Sequence, residues 1–358
     1  MQTFGIDIGF GFTKVTNGHD WRVFKSVIGE ASDVQFHEDL IRQQQDRPSD
    51  LHIIIDNKPW FVGELAERQS SVRSATLDQN QLMSRYAKTL ALTAIANLNP
   101  DGDALRVVTG LPISYYRRHK DEITDILLGK HDVTLVDVHN NKKEVSFNIE
   151  KLRVIPQPFG SAFNMMLNDI GKIQDPRFIK EKIGIVDIGF RTADYSICDR
   201  THYSERGSRT TEAGIAQAFK IIAHALQEKS GVHVELYRLY EAVEKGSIKI
   251  HGKTYGLKRI TEQAFSQLAG QIASDVNSLW TDDWDIDHII VTGGGGAALM
   301  PYLQPLLEGE IIPMDTHEDP RLHNVQGYQK YAIHLWDQGS SAAVEETTET
   351  EESSETND

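Results

Sequence analysis

The sequence holds a single cysteine, Cys198, among 358 residues, which excludes an intrachain disulfide framework and fits a reducing compartment. It also lacks a membrane signal. Every apolar run is broken by charge or glycine before the ~18 residues that a spanning helix needs. No basic segment with a cleavable apolar stretch precedes the strand-like pattern starting at Phe4, so no signal peptide is expected. Basic charge is scarce: 37 Lys and Arg stand against 52 Asp and Glu, a net charge of −15. That weighs against broad, sequence-independent nucleic-acid binding. The expectation is a cytoplasmic protein with no direct contact to nucleic acid or membrane. Metal-ligand spacing is missing too. Fourteen histidines are present, but none forms an HExxH-like or Cys/His pattern. His317, Glu318 and Asp319 are adjacent, point in different directions and read as solvated surface.

Part of the acidity is local. Residues 340–358, SSAAVEETTETEESSETND, carry seven acidic residues, no basic ones and almost nothing to bury. From residue 339 onward the chain reads as a disordered, solvating tail, and without it the body remains near −8.

The length makes two lobes the default. Strand and glycine-turn signals fill the first sixty residues in FGIDIGFGFTKVTN, WRVFKSVI and LHIIIDNKPWFVGELA, the last a hairpin turning at Asp56-Asn57-Lys58. The polar EDLIRQQQDRPSD between them reads as loop. Periodicity predicts helices over 79–98, 115–129, 159–170, 213–231, 260–280 and 323–336. Further strands are LRVVTGLP, VTLVDV, VSFNIEKLRVIPQP and HIIVT. Tyr115 to Lys120 reads as a helix start with a charged outer face, and Trp280 and Trp284, four apart, as core anchors. Each half runs strands, helix, strand, helix, the order of a duplicated α/β unit.

The tetrapeptide DIGF occurs twice, at 7–10 and 187–190. In the first copy a strand delivers Asp7, and Gly9 and Gly11 let the backbone turn tightly, so that N–H groups can face phosphate oxygens. A carboxylate there repels bare phosphate, and it fits if Mg²⁺ lies between, held through water. Lys14, on the returning strand, could place its ammonium against a β- or γ-phosphate. Alone, this pattern is equally a plain β-hairpin. The second copy repeats it with Asp187, Gly189 and Thr192, and adds Asp194. A third element, IDHIIVTGGGGAALM, reads as strand, glycine turn and helix, with Gly293, Gly294 and Gly295 in the turn letting backbone pass close to a flat ring or phosphate.

The set resembles the actin superfamily. FGIDIGFGFTK is similar to its first phosphate motif, IGIVDIGFRTADYSI to its second and IIVTGGGGAALM to its adenosine motif. IPQPFGSAF and HNVQGYQKYAI fall where the two connecting motifs belong. Within the superfamily, FVGELAERQS, VVTGLPISYY and NVQGYQKYA resemble ParM-like actins of the plasmid-segregation type. The resemblance implies two lobes built on five-stranded ribonuclease-H-like units: lobe I from 1–160 and 322–338, lobe II from 161–321. It implies Mg²⁺ held through water by Asp7 and Asp187, with Asp187 also counted as catalytic. Gly9, Gly11, Lys14, Gly189 and Thr192 would line the phosphates, and Gly293 to Gly295 the adenosine. Gln157 falls where relatives orient the attacking water, although a turn residue between two prolines is an equal reading. An amide cannot accept the water's proton, so turnover would be slow. The implied activity is an ATPase, with GTP the alternative nucleotide, that polymerises and reaches DNA through an adaptor protein. Two other functions compete: a sugar-kinase-type phosphotransferase with Asp194 as base, and a nucleotide switch that never polymerises.

Overall fold

The computed structural model describes residues 1–31, 51–70, 73–75, 86–98, 104–137, 139–312 and 319–337. The predicted loop at 38–50, the first part of the predicted helix 79–98, His317, Glu318 and the acidic tail lie outside the described residues.

In chain order the first half forms β1 (Gln2–Ile8), β2 (Phe12–Thr16), β3 (Trp21–Lys25), β4 (Val27–Glu30), β5 (Leu51–Ile55), β6 (Lys58–Val62), α1 (Glu64–Gln69), β7 (Arg73–Ala75), α2 (Ala87–Asn97), β8 (Ala104–Leu111), α3 (Ile113–Leu127), β9 (Gly129–Val136) and β10 (Lys142–Pro156). Helix α4 (Phe159–Met166) then leads through α5 (Arg177–Lys180) to the second half. That half forms β11 (Lys182–Ile188), β12 (Ala193–Asp199), β13 (His202–Thr211), α6 (Ala216–Ser230), α7 (Leu239–Glu244), β14 (Ser247–Ile250), β15 (Lys253–Gly256), α8 (Lys258–Leu279), β16 (His288–Thr292) and α9 (Gly293–Leu303), and α10 (His323–Trp336) follows.

Strand β1 is buried on both faces, as a central strand should be, with Phe4 and Ile6 out of water. Its sheet runs β3-β2-β1-β8-β10-β9-β5-β6-β4-β7, and the second sheet runs β13-β12-β11-β16. The duplication lies in the shared part: two antiparallel neighbours on one side of β1 or β11 and a parallel strand on the other. Among the described residues the main sheet of the second unit has four strands where five are expected. In the fifth place a single parallel bridge joins Ile289 to Ile311. The first sheet instead continues past β10, which pairs with β8 and β9 through an irregularity between Ile149 and Lys151. The β5–β6 hairpin turns at Asp56 and Asn57, both with positive φ, the geometry of a tight two-residue turn.

Each sheet has its own core. One cluster is built around Phe4, Ile53, Leu90, Leu105 and Phe147, the other around Val186, Tyr195, Ile222, Leu268 and Ile289. Each fully buried large side chain contributes roughly 1.5–3 kcal/mol. Three readings need correction. The helix from Phe159 ends at Met166 because the Asn168 side chain accepts the backbone N–H groups of Ile170 and Lys172, forming a local turn that competes with the helix. The four glycines are the first turn of α9 and not a turn before it. Trp280 is buried and donates its Nε1–H to Gly207 O at 2.9 Å, but Trp284 is 88 % exposed. Helix α8 stops at Leu279, so the two indoles do not share a helical face.

The halves meet where α4 crosses α10. A Cβ on Gly327 would lie 1.7 Å from Gly160 O, and one on Gly160 would lie 2.6 Å from Asn324 O. The same helix lies against β1, where a Cβ on Gly5 would come within 2.1 Å of Val325 O. A valine at Gly327 therefore has no space, and Gly327→Val should cost about 3 kcal/mol or more in urea denaturation. Gly270 sits exposed in mid-α8 with open space around it. Gly270→Ala should instead gain roughly 0.5–1 kcal/mol in the same assay.

Candidate functional site

The two DIGF hairpins close in the same way. Gly9 N–H donates to Phe12 O at 3.1 Å, and Gly189 N–H to Thr192 O at 2.9 Å. Asp7 stands opposite Lys14 in the β1–β2 ladder, and Asp187 opposite Asp194 in the β11–β12 ladder. The copies thus differ where it matters electrostatically: a cation faces the first aspartate and a second carboxylate the other.

Both aspartates are nearly out of water, Asp7 at 2 % and Asp187 at 4 % exposure. Burial of a charge requires partners. Asp7 accepts Lys14 Nζ at 2.7 Å and Gln157 Nε2 at 3.2 Å. Asp187 accepts Asn324 Nδ2 at 2.7 Å, and the Asn324 carbonyl oxygen accepts both the N–H and the hydroxyl of Ser161. Burial nonetheless pushes the Asp187 carboxyl up to about 7, and Asp194 and Asp7 reinforce the rise against Asn324 and Lys14. Asp194 is raised by burial to about 6. It accepts the backbone N–H of Ile113, the first residue of α3, at 2.9 Å, and the hydroxyls of Thr210 at 2.5 Å and Thr192 at 3.3 Å. A carboxylate from β12 therefore caps a helix of the other half.

A cleft of about 720 Å³ opens between the sheets. Asp7, Gly9, Gly11, Lys14, Gln157, Asp187, Gly189, Thr192, Gly293, Gly294 and Gly295 all line it. At Gly293, with φ +82, a Cβ would lie 2.5 Å from Asp187 Oδ1, so only glycine lets α9 start against that carboxylate. At Gly11 a Cβ would lie 2.4 Å from Tyr240 Oη, where the first hairpin reaches the opposite wall.

That wall is aromatic. Tyr240 packs against Phe12, Phe190 and Phe219 with ring centroids 4.9 to 5.2 Å apart. The Arg321 guanidinium sits 5.5 Å over the Phe12 ring and grips Asp319 through two nitrogens. Asn324, Tyr240, Phe219 and Arg321 were not identified from the sequence. Asn324 lies inside the connecting motif HNVQGYQKYAI and Arg321 two residues before it, which is the signal that could have found them; Tyr240 and Phe219 lie on helices outside any motif.

The donor set can be tested against Mg²⁺. Among the described residues no cluster of three or more His, Cys, Asp or Glu side chains could hold a metal alone. Asp7 and Asp187 supply two hard carboxylates, and the carboxyl raised to about 7 is the group a cation would return to its charged form. Two carboxylates plus water and phosphate oxygens is a set that suits Mg²⁺, so the residues fit.

Residues 5–160 match the family model described as "Actin like proteins N terminal domain", and residues 185–305 match "Archaeal actin homologue MreB-like, C-terminal". The chain belongs to the actin superfamily. This actin-like chain matches the ParM of a 15-stranded filament from Clostridium botulinum at 26% identity and TM-score 0.76, over 92% of this chain and 98% of that one. An archaeal actin homologue in complex with ADP is 18% identical, TM-score 0.75, over 93% and 99%. Bacillus thuringiensis ParM with AMPPNP is 18% identical, TM-score 0.70, over 94% and 99%. No curated protein matches the sequence. The duplicated fold, the ParM-type architecture and the superfamily expected from the motifs are thereby borne out. Among the described residues no helix is long and apolar enough to cross a membrane.

Asn324→Ala leaves the buried Asp187 without its donor. The actin-like chain should lose about 2 kcal/mol of stability in urea denaturation, while its far-ultraviolet circular dichroism stays unchanged.

Proposed function

We propose that this chain binds Mg-ATP between its lobes, hydrolyses it slowly and polymerises into dynamic filaments. One observation carries the proposal: the same aspartate hairpin occurs twice, and both copies face a single cleft with their carboxylates buried. A polyphosphate gripped from both sides couples the relative angle of the lobes to the γ-phosphate. The similarity to a filament-forming ParM, and to relatives solved with ADP and AMPPNP, supports the same reading. ATP is the proposed nucleotide, with GTP to be compared in the same assays. The proposed setting is the cytoplasm, where filaments would move plasmid DNA through a separate DNA-binding adaptor.

In this reading Asp7 and Asp187 hold Mg²⁺ through water, and the metal supplies neutralisation of phosphate charge. The glycine turns at Gly9, Gly11 and Gly189 bring backbone N–H groups to the phosphates, and the Thr192 hydroxyl adds a donor. Lys14, held at the cleft by Asp7, lies one hairpin width from the phosphate turn. Gln157 donates its amide N–H to Asp7 and keeps its carbonyl oxygen to accept a hydrogen bond from the attacking water. No group in this set is a strong base, so the chemistry rests on positioning and charge stabilisation. Gly293 to Gly295 place the α9 backbone beside the nucleoside, near the aromatic wall of Tyr240. A phosphotransferase would need Asp194 free as a base, and its oxygens already accept three hydrogen bonds.

Asp187→Ala should abolish phosphate release under saturating Mg-ATP, and near-wild-type turnover would remove the metal-holding role. Gln157→Ala should slow release by about a hundredfold and leave nucleotide affinity unchanged. An equal loss of affinity would make Gln157 a turn residue only. The filament reading is tested by light scattering recorded together with phosphate release across protein concentrations. Scattering above a threshold concentration, decaying as phosphate appears, is expected. Flat scattering with concentration-independent turnover would mark a monomeric switch.

A further inference from the structure

Two surface features stand at opposite ends of the second lobe, and the cleft uses neither. The first is the turn from Thr281 to Asp287, which presents Trp284 at 88 % exposure. The turn is pinned from below. Asp283, buried, accepts Lys182 Nζ at 2.8 Å and Arg206 at 2.5 Å, and its N–H donates to Trp280 O at 2.8 Å. The indole is therefore held out into solvent by a fixed scaffold, at the unfavourable end of the usual distribution for a large aromatic. Its flanking carboxylates, Asp282, Asp283, Asp285 and Asp287, outnumber the cations set near them among the described residues, Lys182, Arg206 and Arg200.

The second feature is a groove of about 390 Å³ between α6, β15 and the start of α8. Leu226 and Leu257, both buried, form its apolar floor and the half-buried Ile260 one side, Lys229 and Lys253 supply its charge, and among the described residues no carboxylate lines it. Lys253 Nζ lies 5.3 Å over the Tyr255 ring, so part of the basic charge is already set beside an aromatic face. An acidic loop carrying an indole is complementary to this groove in charge and in polarity.

The two features cannot meet within one molecule. The groove lies at the N-terminal end of α8 and the Trp284 turn follows its C-terminal end, and 22 residues of helix separate them by about 33 Å. Contact between unlike surfaces at opposite ends is heterologous, and it propagates into an open filament. We propose that the Trp284 turn of one copy inserts into the α6–β15–α8 groove of the next, forming a head-to-tail contact of the filament. The contact rests on the filament reading above. It assigns the anchor residue, Trp284, of the type that dominates binding energy at interface centres, and it gives Lys229 and Lys253 the task of meeting the turn's carboxylates.

Pelleting of the full chain with Mg-ATP tests both levels. Wild-type protein should pellet above a critical concentration. Trp284→Ala, and separately the pair Lys229→Glu and Lys253→Glu, should each raise that concentration at least about tenfold, with nucleotide affinity and melting temperature unchanged. The two variants mixed should form a 1:1 dimer in sedimentation velocity, because each keeps the half that the other lost. In an independent arm, Asp282→Cys and Thr254→Cys chains carrying different tags should form a mixed disulfide under Mg-ATP, the native Cys198 being buried. Wild-type filaments combined with unaffected Trp284→Ala assembly, or with no mixed disulfide, would overturn this contact and leave the filament reading intact; Trp284 would then face a different partner. Wild-type protein that never pellets would overturn the filament reading, and the contact with it.

Discussion

Holding two carboxylates out of water on facing walls of one cleft is the constraint on which the rest of the structure depends. A buried charge with no partner would unfold a chain of ordinary stability, so each aspartate dictates what surrounds it. Asp7 is answered inside its own hairpin by Lys14 and from the end of β10 by Gln157. Asp187 has no cation opposite it in its ladder, since that place belongs to Asp194. Its donor comes from Asn324, at the start of α10. The asymmetry of charge between two otherwise equal hairpins is thus resolved by a helix remote in sequence.

That helix reaches Asp187 only because it can lie very close to α4. Glycines at 160 and 327 remove the side chains that would hold the two backbones apart. Tyr328 then fills the space above Gly110 and donates its hydroxyl to Gln157 O at 3.1 Å. Backbone packing, the orientation of Gln157 and the partner of Asp187 are consequently one arrangement. Asp194 works in the opposite sense, sending a carboxylate from the second sheet to the N-terminus of α3 in the first half. The lobes are joined by polar contacts on both sides of the cleft, and a ligand held between the hairpins would load these same contacts.

Much of this was legible in the sequence, for particular reasons. The strand-turn-strand character of both DIGF segments follows from local apolar patterning and glycine, and all eleven candidate site residues line the cleft because the two hairpins, the residue after β10 and the start of α9 all open onto it. The β5–β6 turn was placed correctly because Asp56 and Asn57 are residue types that accept positive φ. Where the reading failed, the deciding contact was not periodic. The end of α4 is set by a side-chain turn at Asn168, and the fate of Trp284 by where α8 stops. Tyr240, Phe219 and Arg321 belong to no motif and became neighbours of Phe12 only when the two halves closed.

The sequence by itself determined the α/β order, the two DIGF hairpins and, from motifs spread along the chain, the superfamily, since each strand, turn and motif depends on residues within a dozen positions of one another. Only the tertiary structure decided which polar group answers each buried carboxylate, that Asp194 serves as a helix cap, and which face of the second lobe carries an exposed indole. Those outcomes depend on pairs separated by 81 to 150 residues, such as Ile113 with Asp194, Asn324 with Asp187 and Gln157 with Asp7. Local patterning carries no record of such pairs, because what selects them is the cost of leaving a buried charge alone.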